Sequence, residues 1–220
     1  MTSVSDAVSR RMSVRAFLPD CPPPDVIKDL VRRAARAPSG GNLQPWHVEV
    51  LTGEPLVGLL ETVRRRAPDP LPGYTVYPNK LWEPYRSRRF ENAEALYSTL
   101  SIAREDKAAR LGQLARNAEL FGAPVGVFLF IDRRMGPPQW ADIGMYLQTL
   151  MLLAVEKGID TCPQEFWSLY AYSVERFLDM PEQLMLFCGL ALGYRDRDAP
   201  INTLATSRAP TDEWLRLRGF

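Results

Sequence analysis

Two stretches of the chain are apolar almost without interruption. Residues 123 to 132, APVGVFLFID, and residues 184 to 194, LMLFCGLALGY, set β-forming side chains next to one another. Runs of this length predict strands buried on both faces. Between them lies WADIGMYLQTLMLLAVEKG, 140 to 158, which is apolar nearly all round. It predicts a helix enclosed by a core or by a subunit interface. Residues 24 to 37, PDVIKDLVRRAARA, bring Val26, Ile27, Leu30, Val31 and Ala34 to helical spacing, with Pro23 and Pro24 at the start and Pro38 at the stop. Residues 3 to 11 predict a short helix ending in Arg10-Arg11. HVEVLTG at 47 to 53 alternates like a strand, and EPLVGLLETVRRR returns to a helical period.

Three segments break this pattern. PSGGNLQPWH, 38 to 47, combines loop formers, the amides Asn42 and Gln44, and a rigid aromatic anchor in Pro45-Trp46. Residues 64 to 120 are rich in Pro, Arg and aromatics, and DPLPGYTVYPNKLWEPYRSRRF within them has no sustained period before helical patterning resumes at 91. This is an excursion from the core, a lid or a pocket wall. The tail INTLATSRAPTDEWLRLRGF is too long for a strand end, and Trp214, Leu215 and Leu217 predict that it docks.

A chain of 220 residues, 46% hydrophobic, can bury one substantial core, and we expect a single domain over 1–220. Twenty-seven basic against twenty-six acidic side chains give a net charge of +1, so no global field favours nucleic acid or an anionic membrane. An anion must be held locally. Cys21, Cys162 and Cys188 are widely spaced, with His47 the sole imidazole, which points to a reducing compartment and no structural metal. The first seventeen residues hold no apolar run of signal-peptide length, and no segment approaches the ~20 apolar residues of a membrane span. A soluble, cytoplasmic protein is expected.

Local anion binding has two sources. RRMSVRAF at 10 to 17 supplies Arg11, Ser13 and Arg15, and the far end supplies Ser207-Arg208. Guanidinium forks give bidentate, charge-assisted bonds to phosphate. Trp82, Tyr85, Phe90 and Tyr97 with Arg86, Arg88 and Arg89 either line a pocket for an aromatic, anionic substrate or form a solvated basic surface over packed rings. Trp46 reads as a packing anchor, His47 as a structural group, and Cys162 as a small buried residue. No Ser-His-Asp or Cys-His arrangement is legible.

RRMSVRAF, APSGGNLQPWH, GIDTCPQE and NTLATSRAP occur in the order and spacing of the FMN-dependent nitroreductase superfamily, which the chain resembles over most of its length, least so over 64–120. Within the superfamily it looks most like the bacterial nitrobenzoate-reductase branch. The resemblance implies an α+β fold: a central, mostly antiparallel sheet flanked by helices, with a helical lid excursion at 64–120 and a C-terminal arm at 202–220 in an intertwined homodimer. It implies that Arg11, Met12, Ser13 and Arg15 contact the flavin phosphate and pyrimidine edge, with Arg208 a second phosphate ligand. It implies that Pro38, Ser39, Gly40 and Asn42 touch the flavin of the neighbouring subunit. Pro163, Gln164 and Glu165 would pack on the isoalloxazine, the backbone N–H near Glu165 facing N5. Trp82, Tyr85, Arg86, Arg88 and Arg89 would bind substrate in the variable lid.

The implied activity is hydride passage from NAD(P)H by way of flavin N5 to nitroaromatic or quinone acceptors in a ping-pong cycle, with no catalytic side chain and Arg15 stabilising the reduced flavin. Two alternatives stand beside it: a deiodinase-like reductive dehalogenase and a flavin-sequestering protein without turnover. A deiodinase would need Glu four residues before a lid Tyr, and none of Tyr74, Tyr77, Tyr85 and Tyr97 has it. The chain also departs from the pattern at Met12, where many members carry Arg, and at Thr206, where some carry Lys.

Overall fold

A computed structural model describes residues 2–220. Its centre is a four-stranded antiparallel sheet of β1 (His47–Thr52), β2 (Val125–Asp132), β3 (Asp160–Gln164) and β4 (Leu184–Gly193), in the order β1-β2-β4-β3. The two apolar runs are therefore the central strands, as their burial on both faces requires. Side chains alternate between two cores. On one face Val125, Val127, Leu129 and Ile131 meet Ile27, Leu30, Tyr146 and Leu150, carried by helices α2 (Pro24–Ala34) and α6 (Pro137–Glu156). On the other, Phe128 and Phe130 meet Leu56, Leu59, Trp167 and Val174, from α3 (Gly53–Arg64), a 3-10 turn at Glu165–Tyr170 and a later helix over Ala171–Phe177.

A bulge at Phe187 interrupts the β2-β4 register, since Leu129 faces Cys188 while Phe130 faces Leu186. The extra residue leaves the Phe187 carbonyl outside the ladder. Tyr74 donates its hydroxyl to that oxygen at 2.5 Å. The start of the excursion is tied down nearby: Asp69 N donates to Leu169 O, Gly73 N to Ser168 O, and the Asp69 carboxylate accepts from the Ser173 backbone and hydroxyl.

Several boundaries differ from the sequence expectation. α1 (Val4–Arg10) is closed by a reciprocal Ser3–Asp6 capping box. Helix in the excursion starts at Tyr85, six residues before the periodicity becomes visible, as α4 (Tyr85–Thr99), and continues in α5 (Lys107–Ala115). Neither helix buries a residue, and no apolar stripe marks the start of α4. β3 was not foreseen, because it is short and carries Pro163; on the sheet edge the missing N–H costs no ladder bond. The tail docks through Ile201, Asn202 and Leu204, all buried, whereas Trp214 and Leu217 stand 66% and 67% exposed. Among the described residues no helix is long and apolar enough to cross a membrane.

Candidate functional site

The chain segment after α1 runs along the outer edge of β3. Ser13 bridges Thr161 in parallel, Val14 N donates to Thr161 O at 3.0 Å, and Phe17 then bridges Arg195. Val14 and Ala16 point inward, so Ser13 and Arg15 are turned the other way by the alternation of an extended chain. Arg11, Met12, Ser13 and Arg15 thus line one cleft, whose second wall is Thr203–Thr206 and Arg208. The expected N-terminal and C-terminal basic groups are brought together from opposite ends of the sequence.

Asn202 makes that meeting rigid. It is buried and uses three bonds: its Oδ1 accepts from Arg15 N at 2.8 Å, and its Nδ2 donates to Ala16 O and Asp196 O, each at 2.8 Å. Sequence reasoning included Asn202 in a motif but gave it no role. The only available signal was an amide directly before an apolar-polar tail. Thr206 likewise has a visible function, since its hydroxyl accepts from Arg208 Nη1 at 2.8 Å and aims the guanidinium.

The cleft holds about 460 Å³ and is lined by Arg10, Arg11, Arg15 and Arg208 without a single carboxylate. Among the described residues the Arg11 guanidinium makes no hydrogen bond or ion pair, and Arg15 spends only one N–H, on Ser13 O at 3.2 Å. None of the four guanidiniums has a carboxylate in the cleft, although Arg208 Nη1 is engaged by Thr206 and Ser207, and guanidiniums in this arrangement suit a phosphate-bearing ligand. The residues fit the phosphate end of FMN.

β3 leads from this cleft to Pro163, Gln164 and Glu165. The Gln164 side chain turns into the core, where its Nε2 donates to Asn117 O and Oδ1, both at 3.0 Å, and its Oε1 accepts from Trp167 Nε1 at 3.4 Å. A flavin resting here would meet Gln164 through its backbone. Glu165 reaches the surface, yet the atoms packed around it strip water from its carboxyl and raise its pKa. Burial pushes the Cys162 thiol up to about 11, offset only in part by Arg15, Ser13 and Arg11, so it stays a protonated apolar group.

The loop Pro38, Ser39, Gly40 and Asn42 lies elsewhere and lines no part of the cleft. Buried Asp142 accepts from Gly40 N at 3.2 Å, Ser39 Oγ accepts from Gln44 N at 3.0 Å, and Gly41 and Asn42 take φ of 58° and 56°. Trp46 anchors the loop by stacking on Tyr146 at 5.2 Å. The loop is held in a fixed shape while residues 40 to 44 remain exposed.

The lid set does not form one pocket. Arg86 pairs with Glu83 at 2.6 Å, Arg88 pairs with Glu213 at 2.6 Å, and Arg89 lies 4.5 Å from the Tyr77 ring centroid. Trp82 meets Tyr85 edge to face at 5.5 Å. Arg86 and Arg89 line a separate cleft to which Trp82, Tyr85 and Arg88 do not contribute.

Comparison with known proteins gives this geometry a context. A crystal structure of the FMN and NADPH-dependent nitroreductase NfnB from Sphigopyxis sp. strain HMH superposes with a TM-score of 0.95 at 45% identity, covering 99% of this chain and 100% of that one. FMN-dependent NfnB from Mycobacterium smegmatis in complex with NADPH gives 0.89 at 32%, covering 98% and 100%. A 4-nitrobenzoate reductase of Pseudomonas putida is 35% identical over all of this chain and 98% of that enzyme. The model of the Nitroreductase family matches residues 8–194, from the helix before the basic cleft to the end of β4, and the chain belongs to that family.

Proposed function

We propose that the protein is an FMN-dependent oxidoreductase that takes reducing equivalents from NAD(P)H and delivers them to nitroaromatic acceptors. The observation that carries this is the cleft of four arginines and no carboxylate, joined to β3 by the Ser13–Thr161 bridge. Bound there, FMN supplies two-electron exchange between a reduced nicotinamide and a nitroarene. Arg11 and Arg208 hold the phosphate, Ser13 adds a hydroxyl, and Met12 covers the site beside them. Arg15, fixed through its backbone by Asn202, would supply positive charge to stabilise the bound flavin in its reduced form. The backbone N–H near Glu165 would be available to the flavin, its position set by Gln164 locked into Asn117 and Trp167.

The same reading makes the chain one functional unit over 1–220 that acts as a homodimer. Ala141, Met145, Gln148 and Leu152 form an outward stripe on α6, opposite the face that enters the core. The rigid, exposed loop at Pro38, Ser39, Gly40 and Asn42 then reaches the partner's flavin, and Trp214 and Leu217 find cover on the second subunit. Three free cysteines suit a cytoplasmic setting. On the acceptor side, Trp82 and Tyr85 offer rings for stacking. Because Arg86 and Arg88 already have carboxylate partners, charge discrimination between nitroarenes should stay within about tenfold, as for exposed ion pairs.

The test is spectroscopic. Addition of NADPH or NADH to the purified yellow protein in the absence of oxygen should bleach the flavin absorbance, and 4-nitrobenzoate or nitrobenzene should restore it. Absence of bleaching by either nucleotide would favour the flavin-sequestering alternative, and bleaching without recovery would overturn the nitroarene as acceptor.

A further inference from the structure

The separate cleft lined by Arg86 and Arg89 in the excursion is also basic. It holds about 860 Å³ between the 77–81 loop and α4, with Arg104 and Arg110 on its far side. Five cations line it, and its only carboxylate, Glu94, is gripped by both arms of Arg110 at 2.6 and 3.2 Å. Arg86 is occupied by Glu83. That leaves Lys80, Arg89 and Arg104, none of which makes a hydrogen bond or an ion pair among the described residues.

Two of these three are nevertheless held in place. Arg89 lies 4.5 Å from the ring centroid of Tyr77, and Arg104 lies 5.2 Å from that of Phe90. A guanidinium held over an aromatic ring keeps its in-plane N–H donors free. The cleft therefore presents two oriented forks and one exposed, unpaired ammonium to a ligand able to satisfy three positive charges. A carboxylate-bearing nitroarene brings one charge. A phosphate monoester brings about two near pH 7, with three strong acceptor oxygens.

We propose that this cleft binds the 2′-phosphorylated adenosine end of NADPH and thereby selects NADPH over NADH. The inference rests on the reading of the protein as a nicotinamide-dependent reductase, and it assigns Lys80, Arg89 and Arg104 to the part of the reductant that distinguishes the two nucleotides. The site is open and exposed, so each contact is screened and binding weakens as salt rises.

The experiment titrates the FMN-loaded protein with adenosine 2′,5′-bisphosphate by calorimetry, with adenosine 5′-monophosphate and inorganic phosphate as controls. The bisphosphate should bind at least about tenfold more tightly than the monophosphate and should compete with NADPH. Arg104→Ala and Lys80→Met should each weaken it about three- to tenfold and lower the ratio of kcat/KM for NADPH to that for NADH by the same factor, while Arg104→Lys retains most of the preference. Lys80→Met removes no contact within the chain, so its effect is separable from folding. Absence of bisphosphate binding, binding no tighter than that of the monophosphate, or an affinity unchanged in both charge-removing variants overturns the proposal. Failure of both nucleotides to reduce the flavin would instead overturn the reductase reading, and the direct titration would still decide whether this cleft takes the phosphate.

Discussion

Asn202 is the side chain on which the basic cleft depends most. Its largely buried amide closes three bonds to Arg15, Ala16 and Asp196, and Ala at this position leaves the Arg15 N–H and the Asp196 carbonyl unpaired, while the Ala16 carbonyl keeps the Asp196 N–H at 3.1 Å. Asn202→Ala should cost about 2–4 kcal/mol in urea unfolding of the FMN-free protein and weaken FMN retention as Arg15 loses its anchor. Equal unfolding midpoints in wild type and variant would refute the role. The cysteines give a second residue-scale outcome. Cys21 is exposed, whereas burial raises the thiol pKa of both Cys162 and Cys188. At pH 8 a disulfide reagent should find one reactive thiol in the native protein and three after denaturation. The meeting of RRMSVRAF with TSR could be foreseen through the family resemblance of the combined motifs, because a short basic cluster alone is usually a solvated face. Asn202 and Thr206 could not, since an amide and a hydroxyl in a tail carry no mark of what they will bond until the fold brings Ala16 and Asp196 beside them.

At the scale of elements, the central strands and α6 were legible because burial on both sides demands uninterrupted apolar residues, and that demand is visible locally. β3 was not, because an edge strand of five residues tolerates Pro163 and needs no apolar run. The lid helices were only partly legible: α4 buries nothing within its own chain and displays no sustained stripe, whereas α5 carries Leu111 and Leu114 on an exposed apolar face. Contact between elements yields a sharp prediction at Gly189 on β4. A methyl group there would stand 2.3 Å from Trp167 Cδ1, inside the ring that also bonds Gln164. Gly189→Ala should destabilise by roughly 1–3 kcal/mol or more, as overpacked cores do, and should shift the Gln164–Glu165 segment along with the melting temperature. An unchanged Tm would show that Trp167 has room to move.

For the whole molecule, the proposed homodimer would give the loop at 38–44 and the tail beyond Arg208 a common partner surface. Both are shaped or extended, both are exposed, and neither lines the cleft of its own chain apart from Arg208 itself. Truncation after Arg208 removes Trp214, Leu217 and the Glu213 partner of Arg88, and it should loosen the dimer and release flavin in parallel. Light scattering across a dilution series, read beside flavin fluorescence, checks this; a truncated protein that stays dimeric and yellow would count against the arm. The central claim, that the four-arginine cleft holds the FMN phosphate, is tested most directly by flavin content. Wild-type protein should release FMN rather than FAD on denaturation, at one per chain, and Arg11→Ala and Arg208→Ala should each weaken FMN binding about ten- to a hundredfold, as loss of a charge-assisted phosphate bond does. Wild-type protein that neither carries nor takes up FMN, or variants that bind it as tightly as wild type, would contradict the account.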